Sequence, residues 1–155
     1  EIASCLVGSE MCIRDRCKKR NKMEENHTNH STYKIGYHLA WTTKYGKKVL
    51  NERVALSVKR ILAQTCTTYG WKMPEVEVMP DHVHCFVQAP PQYSPEEITR
   101  TLKSISALGI FNEFPNLKGR KFWGSGLWEK GYYVGTVGDM SKDVVLRYIK
   151  NQKKK

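Results

Sequence analysis

In KMPEVEVMPDHVHCFVQ (Lys72–Gln88), two runs rich in β-branched residues flank a Pro-Asp break. Strands are expected over Lys72–Met79 and His82–Gln88, joined at Pro80-Asp81 as an antiparallel hairpin. Alternation along the second strand sends Val83, Cys85 and Val87 into a core and puts His82 and His84 together on the opposite face. Two imidazoles so placed can reach one ion or one phosphate. They can equally be two polar groups on a solvated strand surface, and the spacing alone leaves both readings open.

Upstream, Tyr33–Lys44 alternates as well, with Tyr33, Ile35, Tyr37, Leu39 and Trp41 on one face and His38 on the polar one. Asn51 can cap a helix that carries Val54, Val58, Ile61, Leu62, Thr65 and Tyr69, and Gly70 suits its stop. Downstream, Ser94-Pro95-Glu96-Glu97 reads as a helix start. Ile98, Leu102, Ile105 and Leu108 mark its expected buried stripe, with an end near Phe111. Residues 115–131 read as a connection and Tyr132–Val137 as a strand. Ser141 opens a last helix holding Val144, Val145, Leu146, Tyr148, Ile149 and Gln152. Strand, helix, strand, strand, helix, strand, helix is the ferredoxin-like (split βαβ) order of an α+β protein with an antiparallel sheet and an added C-terminal helix.

The chain has 155 residues, enough for one domain with a proper core. Its 26 Lys and Arg against 15 Asp and Glu give a net charge of +11, which points to a nucleic-acid partner. Residues 1–32 hold six basic and five acidic residues, so the excess sits in residues 33–155. The first stretch shows no helical or strand period and is expected to be a disordered or artefactual extension, with the functional domain over 33–155. The five cysteines show no CxxC spacing, which argues against a disulfide framework or a zinc site and for a reduced, cytoplasmic setting. No apolar run is long enough to span a membrane as a helix.

Tyr148 and Gln152 are four residues apart and share a helical face. With the histidine pair and the basic body, they fit phosphoryl transfer. A tyrosine hydroxyl attacks a DNA phosphodiester, leaving a phosphotyrosine and a free 3′-OH. An ion held by two imidazoles and an amide oxygen would polarise the phosphate. The covalent link conserves bond energy, so no ATP is needed. Paired carboxylates at two-metal nuclease spacing do not occur.

MPDHVHCFV (Met79–Val87), WEKGYYVGTVG (Trp128–Gly138), VVLRYIKNQ (Val144–Gln152) and YHLAWTTKYGKKVL (Tyr37–Leu50) together resemble the single-tyrosine HUH transposases of the smallest bacterial insertion sequences. The resemblance runs from about Tyr33 to Gln152. It implies that His82 and His84 are metal ligands, Gln152 the third ligand and Tyr148 the nucleophile. It further implies a magnesium or manganese ion, although two imidazoles suit manganese, zinc or iron better than magnesium. The implied assembly is a ferredoxin-like homodimer that cuts and rejoins single-stranded DNA beside subterminal hairpins. In it, the helix bearing Tyr148 docks on the partner subunit, so that active sites are shared.

Lys44, Lys47 and Lys48 follow the first strand, Lys118, Arg120 and Lys121 precede Trp123, and Lys150 lies beside the tyrosine. These residues are candidates for phosphate contacts, and Trp123, Trp128 and Tyr45 for base stacking or core packing. His38 reads as a surface or hydrogen-bonded histidine rather than a DNA contact. Two alternatives stand beside the transposase. One is a domesticated relative acting on repeated chromosomal hairpins, and the other is a non-catalytic ferredoxin-like sheet that binds nucleic acid.

Overall fold

The structure, a computed structural model, describes residues 25–119, 126–137 and 142–151. Its strands are β1 (Asn26–His27), β2 (Thr32–Tyr33), β3 (Tyr37–Thr42), β4 (Lys72–Val78), β5 (His82–Gln88) and β6 (Tyr133–Thr136). Its α-helices are α1 (Glu52–Thr68), α2 (Pro95–Glu113), α3 (Pro115–Leu117) and α4 (Lys142–Asn151). The main sheet runs β4-β5-β3-β6, with every neighbour antiparallel. This is the expected ferredoxin-like arrangement, with α4 as the added element.

The hairpin forms as read: β4 and β5 pair through Val76–Cys85, Glu77–His84 and Val78–Val83. Pro74 falls at a register shift on β4, an edge strand, where a missing N–H leaves no ladder bond unmade. The expected Tyr33–Lys44 strand is two pieces. Thr32–Tyr33 pairs with Asn26–His27 in a separate two-stranded ribbon, and only Tyr37–Thr42 enters the main sheet. The ribbon straddles the boundary expected between residues 32 and 33. The rest of the expected extension, residues 1–24, lies outside the described residues.

Both long helices start where their caps predict. Asn51 Oδ1 accepts from the Val54 N–H at 3.1 Å, and Ser94 Oγ accepts from the Glu97 N–H at 3.1 Å. Helix α1 ends at Gly70, whose φ of +70° suits a residue without Cβ. The core lies between these helices and one face of the sheet, where Leu39, Trp41, Val83, Cys85 and Val87 meet Val58, Leu62, Ile98 and Leu102.

Two expected stripes need correction. Tyr69 is exposed and stacks on Trp71, while Cys66 takes the core position on the α1 stripe. On α2 the buried line is Ile98, Leu102, Ser106 and Ile110, whereas Leu108 is 66% exposed and Ile105 is at the surface. Gly109 abuts Ile61 of α1, and Ser106 Oγ accepts a 2.9 Å bond from the buried Trp128 indole. The glycine lets the two helices approach on that side, and the larger Ile105 and Leu108 turn outward.

The opposite face of the sheet is covered too. Phe86 on β5, Val137 after β6 and Ile149 on α4 form a second buried cluster. The helix therefore lies across the face that carries the histidines, and His84 is only 9% exposed.

Candidate active site

The hairpin turn and the antiparallel register bring together residues far apart in sequence. His84 faces Ala40 across the β5–β3 pair, and Ala40 faces Tyr133 across the β3–β6 pair. Small Ala40 leaves a dip between the larger side chains. A cleft of about 310 Å³ opens there, bounded by His82, His84, Thr42, Glu129, Tyr132 and Tyr133.

Each histidine is tied at Nδ1. His82 Nδ1 lies 2.6 Å from Asp81 Oδ1. An ionised carboxylate only accepts, so Nδ1 carries the proton of this bond, and in the neutral ring the lone pair is on Nε2. His84 Nδ1 lies 3.1 Å from His38 Nε2. The His82 and His84 rings stand 5.1 Å apart, nearly perpendicular. Burial, with smaller contributions from His38 and His82, pushes His84 down to about 4, and burial lowers His38. Neutral imidazoles are the form that can ligate a cation.

Tyr148 reaches this site from α4. Its ring stands 5.6 Å from that of His84 and 6.0 Å from that of His38, edge-on to both. It is 51% exposed, so the phenol remains accessible. Buried Ile149, the next residue, holds the helix down, and Lys150 Nζ pairs with Glu75 Oε2 on β4 at 3.2 Å.

The donor set suits a divalent cation in its chemistry: two imidazoles, one with a carboxylate behind it, beside one cleft. Among the described residues no three His, Cys, Asp or Glu groups cluster as a fuller metal site. The expected third ligand, Gln152, lies outside the described residues, as do Arg120, Lys121 and Trp123. Cys66 and Cys85 are free and buried, and burial pushes the Cys66 thiol up to about 12, which makes it a poor ligand and a poor nucleophile.

The basic turn after β3 adjoins the site. The Thr43 N–H donates to the Asp81 carbonyl at 2.8 Å, and Thr43 Oγ1 donates to the Lys47 carbonyl at 2.7 Å. Tyr45 sits there with φ of +62°, 67% exposed, with the Lys44 and Lys47 ammonium groups 5.5 and 5.4 Å from its ring centre. Lys48 is exposed. Trp128, by contrast, is buried edge-on against Trp41 and belongs to the core.

Two contributors escaped the reading of the sequence. Lys103 donates to the carbonyls of Glu129, Lys130 and Gly131 at 2.7, 3.0 and 3.3 Å, pinning the segment that walls the cleft. Asp81 stands behind His82, and its place next to a histidine at a hairpin turn was the only available signal. His38 is a hydrogen-bonded histidine, as read, but a buried one at the base of the site.

The sequence profile of the family described as "Transposase IS200 like" matches residues 31–152. The ISDra2 transposase TnpA of Deinococcus radiodurans is 38% identical over 120 residues, covering 77% of this chain and 85% of that protein. The transposase for insertion sequence element IS200 of Salmonella typhimurium is 30% identical over 129 residues, covering 83% and 84%. Among solved structures, a Deinococcus radiodurans protein described as a transposase superposes with a TM-score of 0.67 at 38% identity, covering 82% of this chain and 97% of that one. A REP-associated tyrosine transposase bound to a REP hairpin shares the fold, with a TM-score of 0.56 at 11% identity over 83% of this chain and 72% of that one.

Proposed function

Because this chain belongs to the IS200-like transposase family, we propose that it cuts and rejoins single-stranded DNA beside hairpins, with Tyr148 as the nucleophile. The observation that carries this reading is the approach of the Tyr148 ring to within 5.6 Å of His84, across 64 positions of sequence. The phenol oxygen attacks the phosphorus, the bond to the 3′ oxygen breaks, and that oxygen leaves as a 3′-OH. The phenolic proton is lost to solvent, and the leaving 3′ oxygen takes up a proton from solvent. Attack by a 3′-OH on the 5′-phosphotyrosine then reverses the chemistry and reseals a strand without ATP.

His82 and His84, with Gln152 as the third protein ligand, would hold a magnesium or manganese ion. Such an ion supplies Lewis acidity at the phosphate and stabilises charge in the transition state. Lys44, Lys47 and Lys48 lie at the end of the sheet where Asp81 and His82 stand, positioned to neutralise phosphates entering the cleft. Arg120, Lys121, Trp123 and Lys150 remain further DNA-contact candidates. The hairpin as substrate rests on the family and on the REP hairpin bound by the similarly folded transposase. The same chemistry serves a mobile element or a domesticated one acting on repeated hairpins. The cytoplasm, where DNA is accessible, is the proposed setting, and no helix among the described residues is long and apolar enough to cross a membrane.

The test is incubation with a labelled hairpin oligonucleotide and manganese, followed by a denaturing gel. A covalent protein–DNA adduct is expected, lost in Tyr148→Phe and in chelator, with hairpin binding retained in both. An adduct that survives Tyr148→Phe would exclude this nucleophile, and binding without any adduct would favour the non-catalytic module.

A homodimer with shared sites is a second reading, drawn from the family resemblance. Within the single chain, α4 packs on its own sheet through Ile149 and brings Tyr148 to the same chain's His84. Mixing Tyr148→Phe with His82→Ala/His84→Ala protein separates the two. Heterodimers cleave if sites are shared, since one site then stays intact, and are inactive if each chain builds its own.

A further inference from the structure

We infer that His38 is a positioning residue that sets the tautomer and ring orientation of His84, much as Asp81 does for His82. The inference rests on the reading of His82 and His84 as metal ligands and extends it one layer outward. His38 Nε2 and His84 Nδ1 are 3.1 Å apart, with the ring planes within 22° of parallel and the ring centres 5.3 Å apart, so the two nitrogens face each other between the rings. Both residues are buried, and ligation through an imidazole nitrogen requires the neutral ring.

A neutral pair has one proton in the shared bond, and there are two ways to place it. If His38 Nε2 donates, His84 carries its own proton on Nε2 and cannot ligate through that atom. If His84 Nδ1 donates, His84 Nε2 presents a lone pair beside the cleft that His82 also lines. The second arrangement matches the state imposed on His82 by Asp81, and it makes both Nε2 atoms available together. His38 is fixed in turn by its neighbours, with the Tyr133 ring at 5.5 Å and the Tyr148 ring at 6.0 Å, both edge-on. The acceptor behind His84 is therefore a neutral ring inside the aromatic base of the site, not a carboxylate. It orients the ligand without adding a second negative charge where a phosphodiester must approach.

The first measurement needs no variant. Long-range ¹H–¹⁵N spectra of the metal-free wild type should show His84 protonated on Nδ1, and protonation on Nε2 overturns the inference. The second is calorimetric titration with manganese. His38→Phe keeps an aromatic ring against Tyr133 and Tyr148 but removes the acceptor, so affinity should fall by about 10–100-fold. His38→Gln restores an acceptor oxygen and should recover most of that loss. Wild-type affinity in His38→Phe overturns the inference, as does a loss in His38→Gln equal to that in His38→Phe. If the wild type takes up no manganese, the metal reading of the histidine pair fails, while the tautomer spectrum still decides the role of His38.

Discussion

Lys150 Nζ lies 3.2 Å from Glu75 Oε2, and this ion pair joins the helix that carries Tyr148 to the edge strand of the sheet that carries the histidines. The pair is at the surface, with Lys150 63% exposed, so it sets geometry more than stability. The apolar contact of Ile149 with Phe86 and Val137 supplies the hold. Among the described side chains of α4, Ile149 thus supplies the buried contact and Lys150 the solvated one.

Helix α4 should therefore respond unequally to its two anchors. Ile149→Ala removes a fully buried side chain, at a cost of about 2 kcal/mol or more. Amide exchange in residues 142–151 should accelerate by about 30-fold, with little change over α1 and α2. Glu75→Ala should change the same rates by less than about fivefold. Hydrogen-exchange mass spectrometry reads both, and equal effects would contradict the division of roles.

Acid should weaken the metal-free protein through its histidines. His84 has a folded-state value of about 4 against an ordinary 6.5, because burial penalises the charged ring. As pH falls the unfolded chain takes up this proton first. The stabilising contribution is whole above about 6.5 and is lost progressively down to about 4. His38, lowered by burial, acts in the same direction. In chelator, the thermal midpoint should fall between about pH 7 and pH 4.5, and His84→Gln should flatten that fall. An unchanged slope in the variant would show that His84 titrates alike in both states.

Contact between α1 and α2 at Gly109 should show a sign change. A Cβ there would meet Ile61 Cδ1 at 2.7 Å, closer than such atoms pack. Gly109→Ala gains about 1 kcal/mol of helix propensity but must displace Ile61. In an Ile61→Val background the Cδ1 atom is gone, and Ala at position 109 should be more stable than Gly. Denaturant melts of the four proteins test the coupling.

Trp128 should depend on a single hydroxyl. Its indole Nε1–H donates to Ser106 Oγ at 2.9 Å in the core. Ser106→Ala leaves that donor buried and unsatisfied, at a cost of about 1–3 kcal/mol. In a Trp128→Phe background the same substitution should cost much less. Urea unfolding of the double-mutant cycle measures the difference, and additive costs would mean the bond contributes nothing.

Local pattern was sufficient where the physics is local. Alternation over His82–Gln88 separated Val83, Cys85 and Val87 from the histidines, because a strand's side chains alternate whatever it packs against. Asn51 and Ser94 announced their helices because a cap is satisfied within three residues. The terminal helix carried Tyr148, as its apolar spacing indicated. The α2 stripe was misread at Ile105 and Leu108 because hydrophobicity counts as burial only if a partner arrives on that side. Close approach at Gly109 put α1 on the other.

The sequence by itself determined the order of elements, the face that carries His82 and His84, and the helix that carries Tyr148. Only the tertiary structure decided that α4 covers that face, that His38 bonds His84 from 46 residues away, and that Lys103 grips three carbonyls beyond residue 128. These contacts join segments whose mutual approach is set by the packing of the whole sheet, and no period or spacing along the chain encodes a distance across it.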